Sequence, residues 1–214
     1  MTFHGERVVL YWKACMMRDT LRLEVLAMDE DLIEKKVSSE DIYDGCLLHV
    51  KRDTVELPNG KEAVREWIKH PGASSVIPLL PDGRVILVRQ YRYPVEKVTL
   101  EVPAGKLDAP DEDPLLCARR ELAEETGYTA EEITKLTTIA TTVGFSNEYI
   151  HLYVAEGLVA GEQHTDEDEF INVVKVPLGE AVEMVQDGRI FDAKSVASIL
   201  MLAAREGIFG ASGR

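Results

Sequence analysis

Hydrophobic and polar positions between residues 45 and 103 alternate in short runs that are typical of β-strands. The runs "CLLHVKRDTVEL" and "EAVREWIKH" flank the turn signal "PNG" at 58–60, which predicts a first hairpin. The runs "ASSVIPLL" and "RVILVRQYR" flank "PDG" at 81–83, which predicts a second hairpin. Because the second pair is almost continuously apolar, we expect its strands to be buried on both faces.

The rest of the chain mixes further strands with helices. Strands are predicted at 98–105, 133–143, 149–158 and 170–177. Apolar residues at helical spacing predict helices at 113–126, near 178–187 and near 193–206. Strands that mix with a few helices, without a regular βαβ alternation, predict an α+β domain or a layered α/β/α domain.

Length and charge limit the classes of partner. The 214 residues are 45% hydrophobic, which suits one large domain or one domain with an extension. The 38 acidic and 24 basic residues give a net charge of −14, which disfavours a nucleic acid partner because phosphates need a basic surface. A small phosphorylated substrate is compatible with this charge if local arginines and metal ions outweigh the mean field. No apolar stretch has the length of a membrane helix, so we expect no membrane partner.

The N-terminal segment "VVLYWKACMM" at 8–17 is apolar, but Lys13 interrupts it and no small-residue cleavage site follows, so it makes a poor signal peptide. A second interpretation is that the natural start is Met28, where the composition becomes charged, and that residues 1–27 are dispensable. The sequence leaves both interpretations open. Three scattered cysteines fit a reducing cytoplasm better than a disulfide framework or a zinc site: Cys15, Cys46 and Cys117.

The segment "RRELAEETGY" at 119–128 carries the candidate chemistry. On the predicted helix, Glu121 and Glu125 are one turn apart, and like charges at that spacing are destabilising. Arg120 and Glu124 have the same spacing and can pair, which leaves Glu121 and Glu125 in need of a counter-ion. An acidic run is more often a solvated surface. The alternative is a Mg²⁺ ion, which carboxylates and substrate phosphates commonly hold.

The segment "GKLDAPDEDPLLCARRELAEETGY" resembles the Nudix box, G-x5-E-x7-R-E-U-x-E-E-x-G-U, in which U is aliphatic. The matching residues are Gly105, Glu112, Arg120, Glu121, Leu122, Glu124, Glu125 and Gly127. Two positions depart from the pattern, because six residues separate Gly105 from Glu112 and Tyr128 replaces the last aliphatic residue. The extra residue lies in the loop before the helix, outside the turn that carries the carboxylates.

Three further segments, at 54–73, 87–108 and 188–202, are similar to the ADP-ribose pyrophosphatase branch of this family. The resemblance implies an α/β/α Nudix sandwich of mixed sheet and flanking helices, preceded by an N-terminal strand region. It also implies a homodimer in which the N-terminal strands reach the partner. We therefore expect an extension at 1–36, a strand and dimerisation region at 37–70, a Nudix hydrolase domain at 71–207 and a tail at 208–214.

The resemblance also assigns roles to individual residues. It implies that Glu121, Glu125, Glu124 and the carbonyl of Ala104 hold Mg²⁺, with Mn²⁺ as the alternative. Glu112 and Arg120 are expected to hold the loop and the helix together. The base is expected on the late acidic loop, where Glu167 is the first choice and Glu169 is a metal ligand or the alternative base. From composition alone, that loop would be a solvated surface.

The same resemblance places the substrate on Arg65, Arg92 and Glu148. Arg65 is equally well explained as a surface ion pair with Glu66. Tyr43, Trp67 and Tyr91 are candidates for stacking on adenine, although aromatic residues in strands more often serve packing. The implied reaction is hydrolysis of ADP-ribose to AMP and ribose 5-phosphate. The alternatives are GDP-mannose, NADH or FAD as substrate, or a non-catalytic nucleotide sensor.

Overall fold

A computed structural model describes residue 29 and residues 31–109, 111–165 and 169–208. The chain is divided into two compact units, one that ends at Ile68 and one that begins at Lys69. The expectations for residues 1–27 and for most of the C-terminal tail lie outside the described residues. No helix in the described part of the chain is long and apolar enough to cross a membrane.

The N-terminal unit contains one sheet with the strand order β1-β2-β3. Its strands are β1 (Lys35–Asp44), β2 (His49–Glu56) and β3 (Glu62–Lys69). The predicted first hairpin is confirmed, because the amide of Gly60 donates to the carbonyl of Leu57 (2.8 Å) in the turn between β2 and β3. Every residue of β1 is exposed, including the apolar Val37 and Ile42.

The larger unit contains two sheets, with the orders β7-β4-β9-β8 and β10-β5-β6. The first consists of β4 (Ala73–Pro78), β7 (Ala104–Lys106), β8 (Tyr128–Ala140) and β9 (Tyr149–Ala160). The second consists of β5 (Arg84–Arg92), β6 (Lys97–Glu101) and β10 (Asn172–Pro177). The first sheet is mixed, because β4 runs parallel to β9 and antiparallel to β7.

The predicted second hairpin is limited to its turn, where one isolated antiparallel bridge joins Leu79 to Val85. The amide of Gly83 donates to the carbonyl of Leu80 (3.0 Å), but β4 and β5 belong to different sheets. All of β4 and residues 85–88 of β5 are buried, as predicted. The neighbours of β4 are β7 and β9, whereas those of β5 are β10 and β6, which follows β5 directly along the chain. The strand predicted at 98–105 is likewise divided between the two sheets, into β6 and β7, on either side of Pro103.

The helices of the described chain lie within two residues of their predicted positions: α1 (Pro114–Thr126), α2 (Leu178–Gln186) and α3 (Ala193–Arg205). A short 3₁₀ turn follows β5 at Tyr93–Val95. At the start of α1, the Asp113 carboxylate accepts from the amide of Leu115 (2.9 Å). At its end, Gly127 adopts a φ of 74°, a left-handed conformation that glycine tolerates best.

Neighbouring residues of β4 face opposite sides of the mixed sheet and build two core layers. Val76 packs with Ala118 and Leu122 of α1. Ile77 packs with Ile199 of α3, in a layer to which α2 also contributes. The mixed sheet therefore lies between helices on both faces, which confirms the predicted α/β/α architecture. This arrangement fixes α1 against the sheet that carries Ala104 and Gly105.

Candidate active site

The carboxylates of Glu121 and Glu125 lie on the buried face of α1, beside β7. Glu121 is only 8% exposed and Glu125 only 3%. The amide of Ala104 donates to Glu125 Oε2 (3.2 Å). A Cβ atom on Gly105 would lie 1.8 Å from Glu121 Oε1, so any larger residue here would displace this carboxylate from its bond with Arg120. The helix and the strand therefore bring together a backbone segment and two carboxylates, as the sequence indicates.

Burial makes ionisation of these carboxylates unfavourable. It raises the pKa of Glu121 to about 7, although Arg120 opposes the shift. Burial, and then the charge of Glu121, raise the pKa of Glu125 to about 8. The charge of Glu169 raises the pKa of both groups further, which brings Glu169 into the same electrostatic cluster. Such a cluster favours either a bound proton or a bound cation.

Arg120 connects the helix with the loop before it. Its Nη1 bonds Glu121 Oε1 (2.6 Å) and Glu124 Oε2 (3.2 Å). Its Nη2 bonds the carbonyl of Lys106 (3.2 Å) and lies 3.8 Å from Glu112 Oε1. The expected pair with Glu124 forms, but Glu121 shares the same guanidinium, because its carboxylate lies closer to Nη1. Glu121 is therefore not left without a counter-ion. That Arg120 and Glu112 hold the loop and the helix together stays a prediction.

The late acidic loop is held against the C-terminal end of α1, where helix carbonyls need donors. The amide of His164 donates to the carbonyl of Glu124 (3.0 Å), and Gln163 Nε2 donates to that of Glu125 (2.7 Å). The structure thereby brings the loop that carries Glu169 to the predicted metal cluster. Glu167 lies outside the described residues. Sequence reasoning missed Gln163, because nothing local marks a loop amide as a helix partner.

Arg92, at the end of β5, forms a two-pronged ion pair with the buried Glu101. Its Nε and Nη2 bond the two carboxylate oxygens at 2.8 and 2.7 Å. Lys194 Nζ bonds Glu101 Oε2 (2.5 Å) and Asp192 Oδ2 (2.9 Å). Burial alone would raise the pKa of Glu101, but the bonds from Arg92 and Lys194 outweigh it and lower the pKa to about 2. Sequence reasoning missed Glu101 and Lys194, although a glutamate inside the apolar "VTLEVP" was a usable signal.

Arg65 lies on β3 of the N-terminal unit. It pairs with Glu34 (Nε to Oε2, 2.8 Å) and not with Glu66, the partner considered from the sequence. Glu66 instead accepts from Arg52 (2.9 Å), because Arg52 and Glu66 lie on the neighbouring strands β2 and β3. Among the aromatic candidates, Trp67 donates to a carboxylate of the same unit, and Tyr43 and Tyr91 are exposed.

Glu148 follows the loop at 144–148 and accepts from Thr141 Oγ1 (2.6 Å). Its other oxygen lies 3.6 Å from His70 Nε2. Next to it is a cavity of about 620 Å³ whose polar lining includes His70, Glu112, Asn147 and His151. Glu148 is thus placed beside a polar cavity. The pKa of Arg92 is raised mainly by its bond to Glu101 and to a smaller extent by the charge of Glu125, so Arg92 lies within electrostatic reach of the α1 carboxylates.

The acidic side chains of the α1 cluster offer only oxygen atoms as metal ligands. Within the described residues, no three His, Cys, Asp or Glu side chains form a ready metal-binding group. Carboxylate oxygens suit a hard cation that keeps several waters. The raised pKa values of the two buried carboxylates show that their ionisation is unfavourable without a partner, and a bound cation would offset this cost.

The class of protein is defined by a mixed sheet between helices, one of which is rich in glutamate. Comparison of the sequence with known families identifies the family. Residues 69–199 match the model of the NUDIX domain, and residues 34–68 match that of the nucleoside diphosphate sugar hydrolase N-terminal domain. The chain belongs to the Nudix family. This result confirms the family and the fold class expected from the sequence.

Individual relatives cover most of the chain. The ADP-ribose pyrophosphatase of Bacillus subtilis (strain 168) is 41% identical over 181 residues, which are 84% of this chain and 97% of the relative. The methanol dehydrogenase activator of Bacillus methanolicus is 43% identical over 177 residues, 82% of this chain and 95% of the relative. A crystal structure of an ADP compounds hydrolase matches with a TM-score of 0.72 and 25% identity, covering 84% and 96% of the two chains.

We expect Gly105→Ala to destabilise the protein, because its new Cβ would meet the Glu121 carboxylate at 1.8 Å. Overpacking of this kind costs about 1–3 kcal/mol. Gly179→Ala is the matched control, since Gly179 lies in α2 with no atom near its Cβ position. That control should be neutral or slightly stabilising. Chemical denaturation of both variants checks the difference, and equal stabilities would contradict the close packing.

Without divalent cations, we expect the free energy of unfolding to fall as pH rises from about 5 to about 8. Folding raises the pKa of Glu125 from 4.5 to about 8, so the folded state binds more protons in this window. The contribution of Glu125 to the free energy of unfolding is therefore fully present below the pKa of the unfolded state and is lost as pH rises through the pKa of the folded state. Glu125→Gln should flatten the slope, whereas Glu132→Gln, at an exposed position, should not. Urea unfolding at several pH values in EDTA measures the slopes, and equal slopes for all three proteins would refute this.

Proposed function

We propose that this protein hydrolyses the diphosphate bond of ADP-ribose and releases AMP and ribose 5-phosphate. The observation that carries the proposal is the pair of buried carboxylates on α1 beside the Ala104–Gly105 segment. Membership of the Nudix family supports the reaction class. The 41% identical relative named ADP-ribose pyrophosphatase supports the substrate.

We propose that Glu121, Glu125 and the carbonyl of Ala104 hold the divalent cation, with Glu124 and Glu169 beside them. The ion is proposed to be Mg²⁺, with Mn²⁺ as the alternative. When bound, it neutralises the diphosphate and lowers the pKa of a coordinated water. The buried carboxylates would provide the oxygen ligands of the cation, and Arg120 limits their repulsion through its bond to Glu121.

Proton transfer is assigned to Glu167 on the late acidic loop, with Glu169 as a ligand. The hydrogen bonds of His164 and Gln163 to α1 support this assignment, because they bring the start of the loop to the end of the helix that carries Glu125. A loop base suits a reaction in which closure over the substrate completes the site.

Substrate recognition is assigned to Arg92, Arg65 and Glu148. Arginine binds phosphate oxygens in a two-pronged geometry, which suits a diphosphate. A carboxylate accepts hydrogen bonds from ribose hydroxyls, and the polar cavity beside Glu148 supports that role. The partner of the site is thus a small nucleoside diphosphate derivative in a reducing cytoplasm, and not a nucleic acid.

We also propose that the protein is a homodimer that associates through its N-terminal sheet. Strand β1 is exposed along its whole length and carries Val37, Ile42 and Tyr43. Apolar side chains at the edge of a sheet are unfavourable in water and invite pairing with another chain.

The first test compares ADP-ribose with GDP-mannose, NADH and FAD in the presence of Mg²⁺. We expect release of AMP from ADP-ribose at the highest kcat/KM. Glu125→Gln should lower kcat by about 10²–10⁴, the range for loss of one acid–base or electrostatic element. Glu132→Gln should keep the native rate. Faster turnover of another substrate would reassign the specificity, and binding without hydrolysis would favour the nucleotide sensor.

The second test separates Glu167 from Glu169. Glu167→Gln should lower kcat and remove the acidic limb of the pH–rate profile, with little change in the Mg²⁺ requirement. Glu169→Gln should instead raise the Mg²⁺ concentration needed for half-maximal rate. Mg²⁺ titrations and pH profiles of both variants measure this, and the reverse pattern would exchange the two roles.

The third test concerns assembly. Light scattering at micromolar concentration should give the mass of a dimer. Ile42→Asp should shift the mass towards the monomer, because it places a charge among the exposed apolar residues of β1. Glu40→Gln, on the same strand, should leave the dimer intact. A monomeric mass for the unmodified protein would rule out the proposal.

A further inference from the structure

Glu101 is a buried carboxylate whose acceptor capacity is filled. Its side chain is 3% exposed. Oε1 accepts from Arg92 Nε (2.8 Å) and Thr99 Oγ1 (2.6 Å). Oε2 accepts from Arg92 Nη2 (2.7 Å) and Lys194 Nζ (2.5 Å). Four donors match the four acceptor sites of a carboxylate, so Glu101 has none left for a cation or a substrate.

Lys194 is, after Arg92, the second cation that keeps the buried Glu101 ionised. It lies in the first turn of α3, and its side chain is only 8% exposed. Its second contact is Asp192, which caps α3 by accepting from the amide of Ser195 (3.0 Å). Ser195 Oγ in turn accepts from the amide of Val102 (2.9 Å). The start of α3 is therefore bonded to the side chain of Glu101 and to the backbone of Val102, just before Ala104 in the chain.

Arg92 uses one edge of its guanidinium for Glu101 and keeps another edge available. The Nε and Nη2 atoms are engaged, and no acceptor for Nη1 is found among the described residues. About 41% of the side chain is exposed. An arginine fixed along one edge loses little further rotamer freedom when its other edge binds an anion.

The charges of this cluster balance. Arg92 and Lys194 offset Glu101 and Asp192, so the cluster is neutral beside the acidic residues of α1. Without Lys194 it would carry one negative charge, and Glu101 would compete with a diphosphate for the guanidinium.

We propose that Lys194 is a positioning residue that acts through Glu101 to fix the guanidinium of Arg92 for the substrate diphosphate. This inference rests on the proposed function, because it takes the anion at Arg92 to be a diphosphate. Lys194 itself has no contact with the reacting atoms. Its ammonium keeps Glu101 ionised and saturated, and Glu101 orients Arg92.

The test uses Lys194→Met, which removes the charge and keeps the length of the side chain. The matched control is Arg205→Met in the last turn of the same helix, where Arg205 pairs with Glu156 (3.1 Å). Arg92→Met and the double variant Lys194→Met/Arg92→Met complete a mutant cycle. Lys194→Arg tests rescue by a retained charge, and Lys194→Gln is a milder substitute if Lys194→Met does not fold.

The first readout needs no substrate. Hydrogen exchange of the Arg92 Nε–H, followed by NMR, should be about tenfold faster or more in Lys194→Met, as expected when a charged hydrogen bond weakens. It should be unchanged in Arg205→Met and largely restored in Lys194→Arg. Unchanged protection in Lys194→Met or Lys194→Gln would overturn the inference, whether or not the protein hydrolyses ADP-ribose.

The second readout is the KM for ADP-ribose. Lys194→Met should raise KM by about tenfold, with a smaller change in kcat, because the loss concerns phosphate binding. The double variant should be no worse than Arg92→Met, since Lys194 acts through Arg92. Lys194 would have a purely structural role if the effects of the two substitutions on KM multiplied in the double variant. The same conclusion would follow if kcat fell only in proportion to the loss of folded protein. Absence of hydrolysis by the unmodified protein would reject the proposed function and leave the exchange result to decide the positioning role.

Discussion

The repulsion between Glu121 and Glu125, buried one helical turn apart, is the constraint on which the rest of the site depends. Several neighbouring groups reduce it. The amide of Ala104 donates to Glu125, Arg120 bonds Glu121, and Gly105 leaves room for the Glu121 carboxylate. Burial is the main cause of the raised pKa values, and the charge of Glu121 raises the pKa of Glu125 further, so these contacts do not remove the cost of ionisation. What remains is the affinity of the site for positive charge.

Two kinds of buried carboxylate lie close together in this unit and differ by their environments. Glu101 has four donors and two cations around it, and its pKa falls to about 2. Glu125 has only one backbone donor, and burial followed by the charge of Glu121 raises its pKa to about 8. The same functional group is thus a fixed anion in one place and a group open to a cation in the other. Under the proposed function, Glu101 acts on the substrate side of the site, because it contacts Arg92.

Short-range features of the site were predictable from the sequence, and long-range ones were not. The helical period places Glu121 and Glu125 on one face, and the capping residues Asp113 and Gly127 define the helix. Strand partners depend on residues distant in the chain, so the pairing of β4 with β5 was wrongly expected from their shared turn. The contacts of Gln163 and Lys194 join segments that no local period relates, and only the folded chain brings them together.

The parallel pairing of β4 with β9 also affects the order in which the site forms. Position 73 lies opposite position 150, so this pairing closes a long stretch of chain that contains β7 and α1. Contacts of such high sequence separation form slowly, because the entropy of loop closure must be overcome first. Local elements such as α1 form faster. We therefore expect the carboxylates to be buried late in folding, when the helix that places them one turn apart is already formed.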